Sequence, residues 1–131
     1  MTQQIRLTLP QWATDNVVLV NVRLNEHTTI RMLLDTGAKY TIITPAVATR
    51  LGAVMESAPR VSVTTATQRE VVSLINVDQV DLHGLLLRDV ECAVLNLPDV
   101  LGVDGLLGMS FLKRCRLVLD IPNRRLELET D

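Results

Sequence analysis

The sequence predicts an all-β fold, and three observations support this. Several segments alternate apolar and polar residues with the two-residue period of a half-buried strand, namely residues 5–9, 18–24 and 125–129. The apolar fraction of 47% is almost wholly aliphatic and rich in β-branched side chains, which favour strands. The 131 residues contain no linker and no low-complexity tract, so we expect one domain spanning residues 1–131.

Turn and cap residues predict the elements in the first part of the chain. Residues 25–28 form a turn into a third strand, residues 29–34, whose weaker alternation predicts burial on both faces. Thr44 has the residue type of an N-cap and Pro45 that of a first helical position, so a short helix is expected over residues 46–51.

The second part of the chain again has mainly strand patterns. Residues 61–97 are expected to form strands with turns near residues 66–68 and 83–84. Residues 102–108 are expected to form a glycine-punctuated loop, residues 109–114 a short helix and residues 115–121 a long strand.

Composition argues against several function classes. Thirteen basic and fifteen acidic residues give a net charge of −2 without a basic run, so we expect no nucleic-acid partner. Cys92 and Cys115 lack C-x-x-C spacing, and His27 and His83 lie in predicted turns, so we expect no metal and no cofactor. Without a signal-like start or a membrane-length apolar run, a cytoplasmic protein with free thiols and no membrane partner is expected.

Asp35 is the most informative residue of the chain. It follows the apolar residues Met32, Leu33 and Leu34 and precedes Thr36 and Gly37. An ionised carboxylate in such surroundings loses hydration unless something compensates it, which indicates a chemical role. The alternative is a turn residue that ends a strand, since Asp, Thr and Gly are all common in turns.

The motif around Asp35 has a second part near the C-terminus. The chain has Leu34-Asp35-Thr36-Gly37-Ala38 and later Leu106-Leu107-Gly108 ahead of a short helix. This combination resembles the retropepsin-like aspartic proteases, in particular the intracellular members found in cells and bacteria. The resemblance extends over residues 17–128. It implies an acid-protease fold, a small closed β-barrel-like domain with one or two short helices.

The resemblance also implies an activity, that of an aspartic endopeptidase acting on a polypeptide substrate. Two carboxylates that share one proton can act as both base and acid on a bound water. The two-lobed pepsin-like relatives carry one such motif in each lobe, whereas this chain has one in all, so a homodimer in which each copy contributes Asp35 is expected. Neither a metal nor a cofactor is implied.

Further residues take roles from the same resemblance. Support of the active-site loop is implied for Thr36, Gly37, Ala38, Leu106, Leu107 and Gly108. Residues 61–72 match the hairpin flap that closes over substrate, with a tip that lacks the glycines of retroviral flaps, and the implied flap and substrate-binding residues are Val63, Thr64, Thr65, Ala66 and Thr67. In retroviral enzymes the chain termini interleave in a sheet between the two subunits. The sequence leaves open whether residues 5–9 and 126–129 do the same.

Alternative interpretations come from other classes. A catalytically weak or inactive protease-like module for dimerisation or peptide binding would share this pattern, and so would a structural β-domain of a larger assembly. The glycines of residues 102–108 lack the Gly-Lys-Ser/Thr ending of a phosphate-binding loop. Gly108-Met109-Ser110 begins like a nucleophile elbow, but Leu112 replaces its second glycine, so Ser110 is predicted to be an N-cap.

Overall fold

The computed structural model describes residues 2–9, 17–64 and 67–130. Within them the fold is mainly β, as predicted, with two short helices, α1 (Pro45–Arg50) and α2 (Met109–Leu112), and a single 3-10 turn at Asp99–Leu101. The strands are β1 (Gln3–Thr8), β2 (Leu19–Leu24), β3 (Thr28–Leu34), β4 (Thr41–Ile43), β5 (Arg60–Thr64), β6 (Arg69–Leu82), β7 (Leu85–Val94), β8 (Gly105–Leu107), β9 (Arg116–Asp120) and β10 (Arg125–Thr130).

Six strands close into a mixed barrel in the order β2-β3-β8-β4-β7-β6, with β6 pairing back to β2. β8 lies between β3, to which it is parallel, and β4, to which it is antiparallel. The barrel is filled by aliphatic side chains and by Phe111 of α2, which is fully buried. β5 pairs with β6 to form a hairpin that continues beyond the barrel.

A second sheet, in the order β1-β10-β9, lies beside the barrel. β1 and β10 pair antiparallel over their full length, from Gln3 opposite Thr130 to Thr8 opposite Arg125. The described parts of both chain ends are therefore paired within one chain.

Several local predictions are confirmed, and others are wrong. Thr44 is the N-cap of α1 and accepts from the Val47 N–H at 3.4 Å. The predicted loop over residues 102–108 contains β8, whose three residues are too few to show a strand period. Ser110 lies inside α2, because Gly108 occupies the N-cap position. β3 alternates after all, since Arg31 is exposed between the buried Ile30 and Met32.

The two cysteines are packing residues. Cys92 of β7 is fully buried, and burial raises the pKa of its thiol to about 12. Burial also raises the pKa of the half-buried Cys115, although Arg114 acts in the opposite direction. Both thiols are therefore protonated at neutral pH. In the described ranges no group of three or more His, Cys, Asp or Glu side chains could hold a metal ion, and none of the described helices has the length and apolarity to cross a membrane.

Candidate active site

Asp35 is the first residue after β3. Its N–H donates to the Leu107 carbonyl oxygen at 3.0 Å, which continues the parallel ladder between β3 and β8 by one bond. Because β8 is itself held by β4 on its other side, the backbone of Asp35 is fixed at the carboxyl end of two paired strands. Its side chain is half-buried.

The loop after Asp35 folds back onto its carboxylate. The Gly37 N–H donates to Asp35 Oδ1 at 2.9 Å, and the Ala38 N–H donates to the Asp35 carbonyl oxygen at 3.2 Å. A Cβ at position 37 would lie 3.2 Å from Oδ1, tighter than an ordinary contact, so the lack of a side chain helps the loop close. Thr36 and Gly37 are exposed at the tip, while Ala38 is half-buried.

Gly108 forms the floor beneath this loop. It follows β8 and is buried, and a Cβ there would lie 2.4 Å from the Tyr40 carbonyl oxygen and 2.8 Å from that of Ala38. The Met109 N–H donates to the same Ala38 oxygen at 2.8 Å. The Asp35 loop therefore rests directly on the backbone at the start of α2.

Two buried hydroxyl groups join the floor to the barrel. Thr41 Oγ1 accepts from the Gly108 N–H at 3.1 Å, and the Thr41 N–H donates to Ser110 Oγ at 2.8 Å. The Ser110 hydroxyl in turn donates to the Glu91 carbonyl oxygen of β7 at 2.7 Å. The sequence analysis missed this pair, although a threonine ahead of two isoleucines is a polar residue in a buried strand and such a residue needs a partner.

We expect Thr41→Val to damage the site although valine has nearly the same shape. The substitution leaves the Gly108 N–H without its acceptor, and a buried unsatisfied donor costs about 1–3 kcal/mol. The free energy of unfolding, measured with urea, should fall by that amount, while Thr41→Ser should retain most of it. Equal stability of parent and Thr41→Val would show that this hydrogen bond does not hold the floor.

The hairpin of β5 and β6 contributes to a second, smaller apolar cluster. Its buried members are Ile42, Val72 and Ala93, and half-buried side chains pack on them: Tyr40, Val61, Val63, Leu95, Leu97 and Leu106. Val63, a predicted flap residue, thus meets the same cluster as Leu106 of β8 and Tyr40 of the Asp35 loop. Thr64 and Thr67 are exposed, and Thr65 and Ala66 lie outside the described residues.

The predicted site residues thus fall into two groups. Leu106 and Leu107 pair with Leu33 and Leu34 beside Asp35, and Gly108 underlies the loop, whereas Val63 of the hairpin packs in the apolar cluster. Two surface concavities have linings away from Asp35: one lies between β1, β2 and β3, the other around Arg114 and Arg116.

Comparisons with solved structures show which fold the chain adopts. The chain aligns over 99% of its length with the crystal structure of a retropepsin-like aspartic protease from Rickettsia conorii, covering 92% of that chain at 23% identity with a TM-score of 0.74. It also aligns over 84% of its length with the retroviral protease-like domain of Ddi1 from Leishmania major, covering 86% of that chain at 20% identity with a TM-score of 0.57. At these identities the two alignments establish the fold.

The sequence comparison establishes the family. No curated protein matches the chain. The family model described as "gag-polyprotein putative aspartyl protease" matches residues 20–114, which include Asp35, both flanking strands and the floor at Gly108. Because this match spans well over half of the 131 residues, the chain belongs to the gag-polyprotein aspartyl protease family, and its fold is that of the retropepsin-like enzymes.

Proposed function

We propose that the protein is an aspartic endopeptidase, active as a homodimer in which each copy contributes Asp35. The observation that carries this proposal is the position of Asp35 at the end of β3, with its loop held over Gly108 and its tip exposed. A single carboxylate can act as base or as acid, but hydrolysis by water needs both at once. A second copy supplies the missing group.

The reaction needs only one proton shared between the two carboxylates. Two carboxylates about 3 Å apart at an effective dielectric constant near 20 repel each other by about 5 kcal/mol, so one of them stays protonated. The ionised group takes a proton from water, whose oxygen attacks the peptide carbonyl carbon. The protonated group gives its proton to the carbonyl oxygen. When the tetrahedral intermediate collapses, the group that took the proton from water passes it to the leaving amine, and a hydroxyl of the intermediate returns a proton to the other carboxylate.

Neighbouring backbone groups support this role. The Gly37 N–H that donates to Asp35 Oδ1 fixes the orientation of the carboxylate. Thr36 is exposed at the loop tip, and its hydroxyl would be available to the loop of the second copy. Ala38 follows Gly37 in this loop, and its side chain offers no hydrogen-bond donor.

We propose an extended polypeptide as substrate, lying between the two copies under the hairpins of β5 and β6. An extended segment can add main-chain hydrogen bonds to strands. The half-buried Val63, Leu106 and Tyr40 would offer it an apolar surface near Asp35, which favours apolar side chains beside the cleaved bond. The cytoplasm is the proposed location, because it keeps Cys92 and Cys115 as thiols.

An assay of an unfolded polypeptide at mildly acidic pH tests the proposal. The specific activity should rise with protein concentration until the dimer is saturated, and neither EDTA nor a fluorophosphonate should reduce it. Binding of the polypeptide without any cleavage would favour the rival function of a peptide-binding module. Loss of cleavage in EDTA would assign the chemistry to a metal instead.

Ala38 allows a separate prediction about pH. A serine hydroxyl at this position could donate to the carboxylate and would favour its charged form. The activity of Ala38→Ser should therefore extend to lower pH than that of the parent, which is expected to prefer mildly acidic conditions. Rates measured from about pH 3 to 7 would show this shift, and coincident acidic limbs for the two proteins would dismiss the effect.

A further inference from the structure

The Asp35 loop contains a cation in addition to its carboxylate. Lys39 lies four residues after Asp35, and its side chain is exposed. The Ala38 carbonyl oxygen before it accepts from the first N–H of α2 at 2.8 Å. The Tyr40 carbonyl oxygen after it lies against Gly108, where an added Cβ would come within 2.4 Å. The backbone of Lys39 is therefore held on both sides, and its side chain starts from a fixed place in the loop.

Tyr40 keeps the ammonium group of Lys39 close to the site. Lys39 Nζ lies 5.4 Å from the centroid of the Tyr40 ring, and a cation within about 6 Å of an aromatic ring is attracted to its face. The same ring is half-buried in the apolar cluster that includes Val63 of the hairpin and Leu106 of β8. The ammonium group therefore lies at the border of the apolar surface that we propose for the substrate.

Lys39 has no carboxylate partner among the described residues. The two ion pairs found there join β1 to β10 and β2 to β6, so neither Lys39 nor Asp35 takes part in one. The positive charge is thus available to a bound molecule. An ion pair that is open to solvent gains little, but a polypeptide that covers Lys39 displaces water and strengthens the attraction.

We propose that Lys39 is a specificity-determining residue that binds an aspartate or glutamate side chain of the extended polypeptide substrate. This inference rests on the proposed function and deepens it, because it adds an acidic position to a substrate segment that is otherwise apolar. The carboxylate of the substrate pairs with Lys39 Nζ while its apolar neighbours pack on the cluster around Tyr40.

Strand geometry gives the position of the acidic residue. In an extended polypeptide every second side chain points to the same face, and such side chains are about 7 Å apart. The step from the apolar cluster to the ammonium group is similar, since Lys39 Nζ lies 5.4 Å from the Tyr40 ring. An apolar residue beside the cleaved bond therefore places the side chain two residues further out next to Lys39. A homodimer has one Lys39 on each side of the bond, so the preference applies in both directions.

Three peptides test this role of Lys39. They share apolar residues beside the cleaved bond and differ only two residues further out, where they have glutamate, glutamine or lysine. The parent protein should cleave the glutamate peptide with a kcat/KM about fivefold above that of the glutamine peptide, and the lysine peptide should be the poorest substrate. Lys39→Glu should reverse this order, and Lys39→Gln should cleave all three peptides at similar rates. A general loss of stability would lower all rates without reversing the order.

The matched control is Lys113→Glu, which makes the same charge change at the other lysine of the chain. Lys113 is exposed at the end of α2, so the order of the three peptides should stay parental. Equal cleavage of the three peptides by the parent protein would overturn the role of Lys39. A parental order in Lys39→Glu, or a reversed order in Lys113→Glu, would overturn it as well.

Binding of the same peptides to Asp35→Asn separates this inference from the proposed function. Fluorescence anisotropy of labelled peptides measures the charge preference without any turnover. If the parent protein cleaves none of the peptides but the glutamate peptide binds about fivefold more tightly than the glutamine peptide, the peptidase function is overturned and the role of Lys39 is supported. If the parent protein cleaves all three equally, the peptidase function is supported and the role of Lys39 is overturned.

Discussion

Replacing Asp35 by asparagine is expected to abolish peptide hydrolysis while leaving the fold intact. The amide can neither accept a proton from water nor give one to the leaving group, and general acid–base catalysis contributes about 10²–10⁴-fold to rate. Because both steps are lost, the rate should fall by at least about a thousandfold. The asparagine Oδ1 can still accept from the Gly37 N–H, so the loop keeps its hydrogen bond.

Two measurements make this result specific. Urea unfolding of Asp35→Asn should match that of the parent, and the control Asp104→Asn, which removes an exposed acid before β8, should keep full activity. Cleavage by Asp35→Asn at the parental rate would rule out the proposed chemistry.

Mixing the parent with Asp35→Asn distinguishes a shared site from one contained in each chain. If chains exchange at random, equal amounts yield about a quarter parental dimers, so activity falls to about half that of the parent chains alone. A ninefold excess of the variant should lower it to about a tenth. Activity that stays constant as the variant is added would show that one chain suffices.

Gly108→Ala is expected to have the largest effect on the fold. The added Cβ would lie 2.4 Å from the Tyr40 carbonyl oxygen and 2.8 Å from that of Ala38, and neither backbone atom can rotate away as a side chain can. Overpacking of a filled interior costs typically about 1–3 kcal/mol, occasionally more, and we expect the upper end here. The Asp35 loop must move off its floor, so kcat should fall at least about tenfold even in the folded fraction.

Gly102 provides the matched control. Its φ of 64° is strained for alanine, but a Cβ there meets nothing within 4 Å. Gly102→Ala should therefore cost about 1 kcal/mol in the free energy of unfolding and leave kcat unchanged. Parental stability and activity of Gly108→Ala, measured by urea unfolding and by cleavage, would show that the loop does not rest on this glycine.

Local signals in the sequence predicted the elements whose stability is local. The two-residue period of residues 18–24 and the sequence Thr44-Pro45 are patterns of neighbouring residues. The structure has the strand β2 at the first and the start of helix α1 at the second. Asp35 stands out for a similar reason, because a charged residue after three apolar ones is visible without any knowledge of the fold.

The rest depends on contacts between distant residues. β8 has three residues and no period of its own, and it is a strand because β3 and β4 supply its hydrogen bonds. Ser110 lies two residues after Gly108 and has the residue type of an N-cap, yet its hydroxyl accepts from the Thr41 N–H and donates to the Glu91 carbonyl oxygen. Burial of β3 on both faces was predicted from weak alternation, but the outward-facing Arg31 is exposed.

Because β8 lies between β3 and β4, the Asp35 loop can fold only after β8 has been synthesised. Thr41 forms hydrogen bonds with Gly108 and Ser110, which lie 67 and 69 positions later in the sequence. A nascent chain that has been synthesised only as far as β7 therefore lacks the residues on which the Asp35 loop rests. Such long-range closure slows folding. The peptidase activity that we propose is therefore expected only in chains that have been synthesised through α2.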